Sequence, residues 1–203
     1  MSRYRGPRVK LMRAVGLDLP GLSRKTIERK PNPPGMREGQ FKRKKSNYGS
    51  QLLEKQKLRF LYGLTEKQFR NLFQKAKRKQ GITGENFLLL LETRLDNVIY
   101  RLGFAKTRKS ARQFVNHGHI LLNGKKVDIP SYQVSIGDDL SVREKTSSRQ
   151  VATRNLDGSQ YHNTPSWLEV KTDSLQGSVS RLPQPEELEQ SINVQLVVEF
   201  YSR

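Results

Sequence analysis

Apolar side chains recur at helical intervals through the second quarter of the chain. A spacing of about 3.6 residues between apolar positions predicts an amphipathic helix. Residues 83–102 have this spacing, with Phe87, Leu88, Leu91, Leu95, Val98, Ile99 and Leu102 on one side. Residues 50–61 and 65–80 predict two more helices, and Thr65 with Gln68 has the spacing of a capping box. We expect these three helices to pack as a small helical domain.

A fourth helix and a β-hairpin are predicted next. Thr107 is a good N-cap residue, and Gly118 fits the left-handed position that often closes a helix. Two short apolar runs then flank Asn123-Gly124, and this dipeptide is the strongest short-range signal of a hairpin. A two-residue turn there pairs Ile120 with Val127 and His119 with Asp128.

The rest of the chain predicts short strands and one frayed helix. Residues 139–144 are typical of a strand, and residues 146–166 favour a frayed helix followed by a loop. Residues 167–170 and 194–202 predict extended segments, with a helical turn within residues 184–192. The predicted fold class is α+β.

Residues 1–49 form a basic segment with few apolar side chains. Its apolar surface is too small to offset the entropy lost when a chain becomes ordered. Tyr4, Phe41 and Tyr48 lie among the cations, where aromatic rings are suited to stack on bases. We therefore expect an extended arm that becomes ordered on a nucleic acid, although a tail without function has a similar composition.

Positive charge is concentrated in the first half of the chain. The 203 residues include 38 Lys and Arg against 19 Asp and Glu, a net charge of +19. Residues 1–91 have a net charge of +17, residues 92–145 of +4, and residues 146–203 of −2. Such an excess attracts polyanions, either a nucleic acid or an anionic membrane. The asymmetry favours a nucleic-acid-binding arm attached to a less charged body.

Several functional classes lack their sequence signals. No apolar run approaches the roughly 18 residues that span a bilayer, and no secretory signal follows the amino terminus. The chain has no cysteine, which excludes disulfides and thiolate metal sites. His117 and His119 lack further ligands nearby, with only His162 as a third histidine. We expect no metal, cofactor or membrane partner, and a phosphate hydrogen bond for His117.

Arg94-Leu95-Asp96 raises the alternative of an RNA-modifying enzyme. The tripeptide resembles that of pseudouridine synthases, in which the aspartate attacks the nucleotide. Here it lies within a predicted amphipathic helix, which favours a structural or RNA-facing role for Asp96. Such enzymes also have a separate catalytic domain, and no segment of this chain supplies one. We therefore expect a protein without catalytic activity.

Cations on the fourth helix share one face. Arg108 and Arg112 are spaced i, i+4, so we expect both side chains to project over one surface beside Lys109 and Asn116. A solvated helix face has the same pattern. The hairpin tip at residues 123–126 adds two lysines, and a helix and a hairpin that present cations together suit the phosphates of a structured RNA.

Residues 94–144, from RLDNVIYRLG to DDLSVRE, resemble the alpha-L RNA-binding module. The flanking segments resemble the family of small-subunit ribosomal protein four of bacteria and plastids. These segments are SRYRGPR near the start, SNYGSQLLEKQKLRFLYGLTEKQFRNLF at 46–73, TGENFLLLLETRLDN at 83–97 and LVVEFYSR at the end. The match follows the family's order over nearly the whole chain.

The resemblance implies a three-part organisation. Residues 1–49 are the basic arm, residues 50–91 are a helical domain completed by residues 178–203, and residues 92–177 are an inserted alpha-L module with a carboxy-terminal extension. The implied function is that of a structural constituent of the small ribosomal subunit. Such a protein binds the 5′ domain of 16S-type rRNA, nucleates subunit assembly and contributes to translational accuracy. Its implied neighbours are ribosomal protein five and the mRNA entry side. A free-standing RNA chaperone would not explain the long arm.

The resemblance places RNA contacts in all three parts. In the arm the residues are Arg3, Tyr4, Arg5, Arg8, Lys42, Arg43, Lys44, Lys45 and Tyr48. In the first helices they are Lys55, Gln56, Lys57, Arg59 and Tyr62. In the module they are Arg94, Thr107, Arg108, Lys109, Arg112, Asn116, His117, Asn123, Gly124 and Lys125.

The chain departs from part of the family in one respect. Some relatives hold a zinc ion through cysteines in the amino-terminal region, and this chain has none. Packing and RNA alone are therefore expected to fix residues 14–45. The opening MSRYRGPR and the LPGL at 19–22 are similar to cyanobacterial and plastid members. The implied location is the ribosome, in a plastid (chloroplast) stroma or a bacterial cytoplasm.

Overall fold

The computed structural model describes residues 4–23, 25–36, 44–157, 164–188 and 191–202. Its helices and strands confirm the predicted α+β class. The helices are α1 (Arg8–Val15), α2 (Asn47–Leu61), α3 (Glu66–Lys77), α4 (Thr83–Glu92), α5 (Leu95–Arg101), α6 (Arg108–Asn116), α7 (Thr146–Asp157) and α8 (Val194–Tyr201), with a 3₁₀ turn at Pro185–Glu187. The strands are β1 (Ile120–Leu122), β2 (Lys125–Lys126), β3 (Asp139–Val142), β4 (Leu168–Lys171) and β5 (Gln176–Val179).

The chain forms two compact units. The helical unit comprises Met1–Phe87 and Glu189–Arg203, and the mixed unit comprises Leu88–Leu188. The first boundary therefore lies within α4. The boundaries expected from the sequence lie after residue 91 and after residue 177.

Aromatic side chains build the core of the helical unit. Phe69 and Phe73 of α3 meet the ring of Phe87 edge-on, with ring centroids 4.9 and 5.4 Å apart. Tyr201 of α8 stacks on Phe73 at 4.8 Å. This packing lets a short carboxy-terminal helix join helices from the first half of the chain.

Helix starts in this unit follow capping chemistry. The hydroxyl of Thr65 accepts a hydrogen bond from the Gln68 N–H, and the Gln68 side chain accepts one from the Thr65 N–H, which confirms the predicted capping box. Helix α2 begins earlier than the predicted start at Ser50, because Ser46 caps it by accepting from the Gly49 N–H at 3.2 Å.

The extended segment predicted at residues 194–202 is wrong, since this segment forms α8. Asn193 caps the helix by accepting a hydrogen bond from the Leu196 N–H. Helix α8 packs against α2, and Gln51 donates a hydrogen bond to Glu199 at 2.9 Å. The β-branched and aromatic residues of this segment predicted a strand, but strand propensity depends on what the segment packs against. Here the segment packs against a helix.

The amino-terminal arm is not wholly extended. Helix α1 was not predicted, and it buries Met12 and Val15, with Leu19 also buried just beyond it. The helix packs against α2. A few apolar residues on one side of a short helix are enough to stabilise it when a second helix packs against that side.

Five antiparallel strands form one sheet in the mixed unit, in the order β2-β1-β3-β5-β4. Buried side chains of the sheet join those of α5 and α6 in a single core. Its members include Val98, Ile99, Phe104, Phe114, Val115, Ile120, Leu140 and Trp167. The strand predicted at 139–144, the extended segment at 167–170 and the helix after residue 146 are confirmed as β3, β4 and α7. Strand β5 was not predicted.

The hairpin prediction is confirmed. Asn123 and Gly124 both have positive φ, at 50° and 75°, the combination that a type I′ turn requires. Leu122 pairs with Lys125, and the Val127 N–H donates to the Ile120 carbonyl at 3.3 Å, as the predicted register requires.

The single helix predicted over residues 83–102 is wrong, because α4 and α5 are separate helices. Arg94, at the break, has extended backbone with ψ of 136° and forms an isolated bridge with Gln133. The Leu95 N–H donates to the Tyr132 carbonyl at 2.8 Å. Distant residues thus compete for the backbone groups at this position, and no glycine or proline in the sequence marks it.

Candidate nucleic-acid interface

Asp96 of α5 lies in the interior of the mixed unit between two guanidinium groups. Its carboxylate accepts two hydrogen bonds from Arg94, at 3.0 and 3.1 Å. It accepts two more from Arg112 of α6, at 2.6 and 2.9 Å. Only 3% of Asp96 is exposed. A buried carboxylate requires such partners, so this cluster links α5 to α6 through full charges.

Asn97 makes a second link between the same helices. Its side-chain oxygen accepts from Arg108 of α6 at 2.7 Å, and its side-chain nitrogen donates to Glu92 at 2.6 Å. Glu92 also pairs with Arg101 at 2.7 Å. The guanidinium of Arg108 lies 4.6 Å from the centroid of the Tyr100 ring, a cation–π contact. We call the residues Glu92, Arg94, Asp96, Asn97, Arg101, Arg108 and Arg112 the ionic network.

The expectation that Arg108 and Arg112 project together over a solvent-facing surface is therefore wrong. Both side chains turn towards α5, and Arg108 is only 5% exposed. Arg94 and Thr107, which were also predicted to contact RNA, are buried as well. Thr107 is the predicted N-cap of α6, and its hydroxyl accepts a hydrogen bond from the Ser110 N–H. Spacing on one helix could not show this, because the opposing carboxylate lies in another helix. The three arginines instead hold α5 and α6 together inside the mixed unit.

The hairpin tip is exposed and held in place. The side chain of Asn123 donates to Asp138 at 2.8 Å and accepts from the Asp139 N–H at 2.9 Å. Lys125 and Lys126 follow on the exposed strand β2. The tip therefore presents two lysines beside a turn whose first residue is anchored to Asp138 and Asp139.

His117 and His119 lie where α6 meets the hairpin. His117 is exposed at the end of α6, and Gly118 closes the helix with φ of 68°, as predicted. The predicted pairing of His119 with Asp128 is wrong, since the Nδ1 atom of His119 lies 2.8 Å from the Ser148 hydroxyl of α7. The His119 ring stacks on Phe114 at 4.8 Å.

Cations surround His119. Burial lowers the pKa of His119, and the charges of His117, Lys145 and Arg143 lower it further. The Arg143 N–H donates to the His119 carbonyl at 2.8 Å, so the connection between β3 and α7, with Arg143 and Lys145, brings positive charge close to the end of α6. Arg143 and Lys145 flank one carboxylate, Glu144, so positive charge is in excess here, and such an excess favours a polyanionic partner.

The sequence did not indicate the cations on this side of the mixed unit. They are Arg143, Lys145, Arg149 and Arg154, all exposed and outside every ion pair found among the described residues. Their segment has few apolar residues and a low net charge, so composition gave no signal. Helical spacing gave no signal either, because Arg149 and Arg154 are five residues apart and same-face neighbours on a helix are three or four apart.

Predicted contact residues of α2 are largely paired within the helical unit. Lys55 is 5% exposed and contacts Glu66 at 3.0 Å. Lys57 contacts Glu54 at 2.6 Å, and Arg59 donates to Gln56 at 2.7 and 3.0 Å. Tyr62, also predicted to contact RNA, is buried. The burial of Lys55 and Tyr62 speaks against direct contact by these two side chains.

Glu66 is a further charged centre of this unit. Burial alone would raise the pKa of Glu66, but hydrogen bonds from Tyr201 and Lys55 and the charges of Lys55 and Arg59 outweigh it and lower the pKa. The Tyr201 hydroxyl donates to Glu66 at 2.7 Å. Glu66 thereby joins α2, α3 and α8 through hydrogen bonds.

The arm presents most of its described contact residues to solvent. Tyr4 and Tyr48 are about half exposed, and Arg5, Lys44 and Lys45 are exposed. Arg8 instead donates to the Leu22 carbonyl at 3.2 Å. Arg3, Lys42 and Arg43 lie outside the described residues.

Two other site types find no support in the described ranges. No three His, Asp or Glu side chains there are grouped closely enough to hold a metal ion. No helix of the described residues is both long and apolar enough to cross a bilayer.

A helix followed by a hairpin with two exposed lysines, packed on an antiparallel sheet, is the fold of an RNA-binding module of the S4 kind. Residues 93–140 match the S4 domain, and residues 3–92 match the Ribosomal protein S4/S9 N-terminal domain. The chain therefore belongs to the family of small ribosomal subunit protein uS4, and its location is the ribosome.

Relatives cover the full chain. Small ribosomal subunit protein uS4 of Opitutus terrae is 52% identical over all 203 residues of both chains. The proteins of the same name from Listeria welshimeri and Akkermansia muciniphila are 51% and 53% identical, again over the whole of each chain. These relatives are bacterial and give no support to the expected plastid source.

Proposed function

We propose that this chain is a structural rRNA-binding protein that binds the 5′ domain of 16S-type rRNA and helps to nucleate small-subunit assembly. The observation that carries the proposal is the pair of exposed lysines at the hairpin tip. The hairpin follows α6, and the ionic network holds α6 against α5. Family membership supplies the ribosomal setting. The net charge of +19 supplies the long-range attraction.

The proposed binding mode is recognition of RNA shape through its phosphates. The hairpin lysines, His117 and the cations near α7 lie on elements whose backbone is fixed by packing and hydrogen bonds. A rigid array of cations suits the fixed phosphate spacing of a folded RNA. The arginines of the ionic network are already paired inside the protein. Their proposed role is therefore to hold α6 against α5, and not to contact phosphate.

The enzyme alternative gains nothing from the geometry. A nucleophilic carboxylate must reach its substrate, whereas Asp96 is buried and accepts four hydrogen bonds from two arginines. We propose that the chain has no catalytic activity. A base-modifying activity in wild type that is lost in Asp96→Asn, while circular dichroism shows that the variant is still folded, would overturn this.

The family setting also motivates the finer parts of the proposal. We propose that residues 1–49 serve as an RNA-binding arm, that ribosomal protein five is a neighbour, and that the protein affects decoding accuracy near the mRNA entry side. The exposed Tyr4 and Tyr48 rings of the arm are suited to stack on unpaired bases. The described part of the arm also carries α1, so its role combines packing with RNA contact.

The test is a comparison of RNA affinities. The full chain is titrated with the 5′ domain of its cognate rRNA and with an arbitrary duplex of equal length, over a range of salt concentrations. We expect tighter binding to the rRNA and a steep loss of affinity with salt, about 0.7 to 0.9 logarithmic units per decade for each phosphate contact. Equal affinity for both RNAs would refute the proposal.

A further inference from the structure

Two histidines flank Gly118 where α6 ends and the hairpin begins. His117 is exposed and His119 is partly buried, and the centroids of their rings lie 5.9 Å apart. The side chain of Lys126 crosses Gly118 from β2, because a Cβ added at Gly118 would meet its Nζ atom at 3.0 Å. Two imidazole rings and an ammonium group are therefore neighbours at this end of the helix.

Further cations reach His119 from the connection between β3 and α7. Arg143 is fixed there, since its N–H donates to the His119 carbonyl. Glu144, the carboxylate between Arg143 and Lys145, lines an open cleft along α7, and neither cation lines that cleft. The charges that act on the His119 ring are those of His117, Lys145 and Arg143. The ring thus lies in a positive environment.

Ser148 of α7 suits both protonation states of the His119 ring. Its hydroxyl lies 2.8 Å from the Nδ1 atom of His119, and Ser148 is fully buried. A hydroxyl can donate to a neutral ring nitrogen and accept from a protonated one. The ring also stacks on Phe114, which fixes its plane. His119 can therefore gain a proton without leaving Nδ1 unpaired, and Nε2 is the ring atom left for a ligand.

We propose that His119 gains a proton when an RNA phosphate binds beside His117 and Lys126, so that RNA binding at this site is coupled to pH. The proposal rests on the proposed rRNA-binding function and adds to it a dependence on pH. In the free chain, burial and the neighbouring positive charges lower the pKa of His119 and disfavour the imidazolium. A phosphate reverses this, because it attracts the proton and offsets the neighbouring charges. The ring then donates from Nδ1 to Ser148 and from Nε2 to the phosphate.

RNA affinity should therefore rise as the pH falls. A proton that favours RNA binding is itself favoured by bound RNA to the same extent. One coupled proton raises the affinity by at most about 10-fold per pH unit, in the range between the pKa of the complex and the lower pKa of the free chain. Acid has the opposite effect on the folding stability of the free chain, because the same proton is unfavourable there.

The test counts the protons that binding takes up. Calorimetric titration of the full chain with the rRNA 5′ domain, at fixed salt and in buffers of different ionisation enthalpy, gives this number. At about pH 6.5, near the ordinary pKa of histidine, we expect wild type to take up a measurable fraction of one proton. His119→Gln should lose most of this uptake. His162→Gln, which removes the third histidine of the chain, is the matched control and should behave as wild type does.

A second pair of variants covers the case in which His119→Gln does not fold, as circular dichroism would reveal. Ser148→Ala keeps the imidazole but removes the hydroxyl that accepts a hydrogen bond from its protonated form. We expect a smaller proton uptake in this variant, because the imidazolium then has one unpaired donor. Ser147→Ala makes the same change at an exposed position one residue earlier, and its proton uptake should equal that of wild type.

The outcomes separate the two proposals. A wild-type chain that prefers the rRNA but takes up no proton, or an equal uptake in wild type and His119→Gln, would overturn the coupling and leave rRNA binding intact. Where only Ser148→Ala folds, an unchanged uptake in that variant has the same consequence. A wild-type chain without preference for the rRNA over an arbitrary duplex would overturn the proposed function, and with it the coupling. Uptake that is lost in His119→Gln and kept in His162→Gln supports both.

Discussion

The Asp96 carboxylate accepts a hydrogen bond of 2.6 Å from Nη2 of Arg112, and this contact joins α5 to α6 in the mixed unit. Arg94 neutralises the same carboxylate from the other side. A group that is desolvated in this way is costly to leave unpaired. The Asp96–Arg112 contact therefore fixes the orientation of α6, and this orientation determines the positions of His117 and the hairpin.

Removal of the Asp96 charge should destabilise the mixed unit. Asp96→Asn keeps the size of the side chain but leaves Arg94 and Arg112 without their carboxylate. We expect the free energy of unfolding to fall by about 3 to 5 kcal/mol, the usual effect of breaking a buried ion pair. Denaturant titration followed by circular dichroism measures this. Asp128→Asn, at an exposed position, is the control, and equal stability of both variants would show that the ionic network is not structural.

Tyr201 should give the helical unit an alkaline limit. Burial raises the pKa of Tyr201, and the hydrogen bond to Glu66 and the charge of that carboxylate raise it further. Because the folded pKa lies above the unfolded value of about 10, this stabilisation is full below about pH 10 and is lost as the pH rises further. Tyr201→Phe removes the hydrogen bond, so we expect a loss of about 1 kcal/mol at neutral pH and a flatter alkaline profile.

The matched control for Tyr201 is Tyr132→Phe, which changes an exposed tyrosine of the mixed unit. The measurement is the midpoint of thermal unfolding from about pH 8 to about pH 11. An alkaline profile of Tyr201→Phe that parallels wild type would contradict the role of the Tyr201–Glu66 pair.

His119 should make the mixed unit sensitive to mild acid. Its folded pKa is lowered, so the unfolded chain binds the proton more readily. Stability is therefore full above the unfolded pKa of about 6.5 and falls as the pH drops below it. We expect His119→Gln to flatten this acid limb, as measured by denaturant titration at several pH values. His117→Gln at the exposed neighbouring position should keep most of the slope, and identical slopes in all three proteins would refute the assignment.

The hairpin lysines should act on RNA binding rather than on folding. Lys125→Ala with Lys126→Ala removes two exposed cations. We expect the salt dependence of rRNA binding to become shallower by about 0.7 to 0.9 logarithmic units per lost phosphate contact, with little change in thermal unfolding. Lys75→Ala with Lys77→Ala on α3 is the matched double control. A salt slope equal to wild type in the hairpin variant would place the RNA elsewhere.

Local chemistry made part of the fold predictable from sequence. The Thr65–Gln68 capping box, the Thr107 cap, the Gly118 helix end and the Asn123-Gly124 turn each depend on groups a few residues apart. Caps and turns of this kind depend little on the tertiary structure around them. The helix and hairpin that carry the candidate interface were therefore found.

Long-range contacts account for what the sequence did not predict. Helix α8 depends on packing against α2, the break between α4 and α5 depends on residues 130–134, and Arg108 and Arg112 turn inward because α5 supplies Asp96 and Asn97. None of these partners is a neighbour in sequence. The resemblance to the ribosomal family identified the function class, but the division of cations into paired and unpaired sets required the structure.

Hydroxyl-radical footprinting of the rRNA 5′ domain tests most directly whether unpaired cations on a rigid module bind the RNA. The measurement compares free RNA with complexes of wild type, Lys125→Ala with Lys126→Ala, and Lys75→Ala with Lys77→Ala. We predict backbone protections with wild type, loss of one local set in the hairpin variant and an unchanged pattern in the α3 variant. Protections that are identical for all three proteins, or absent with wild type, would contradict the proposed interface.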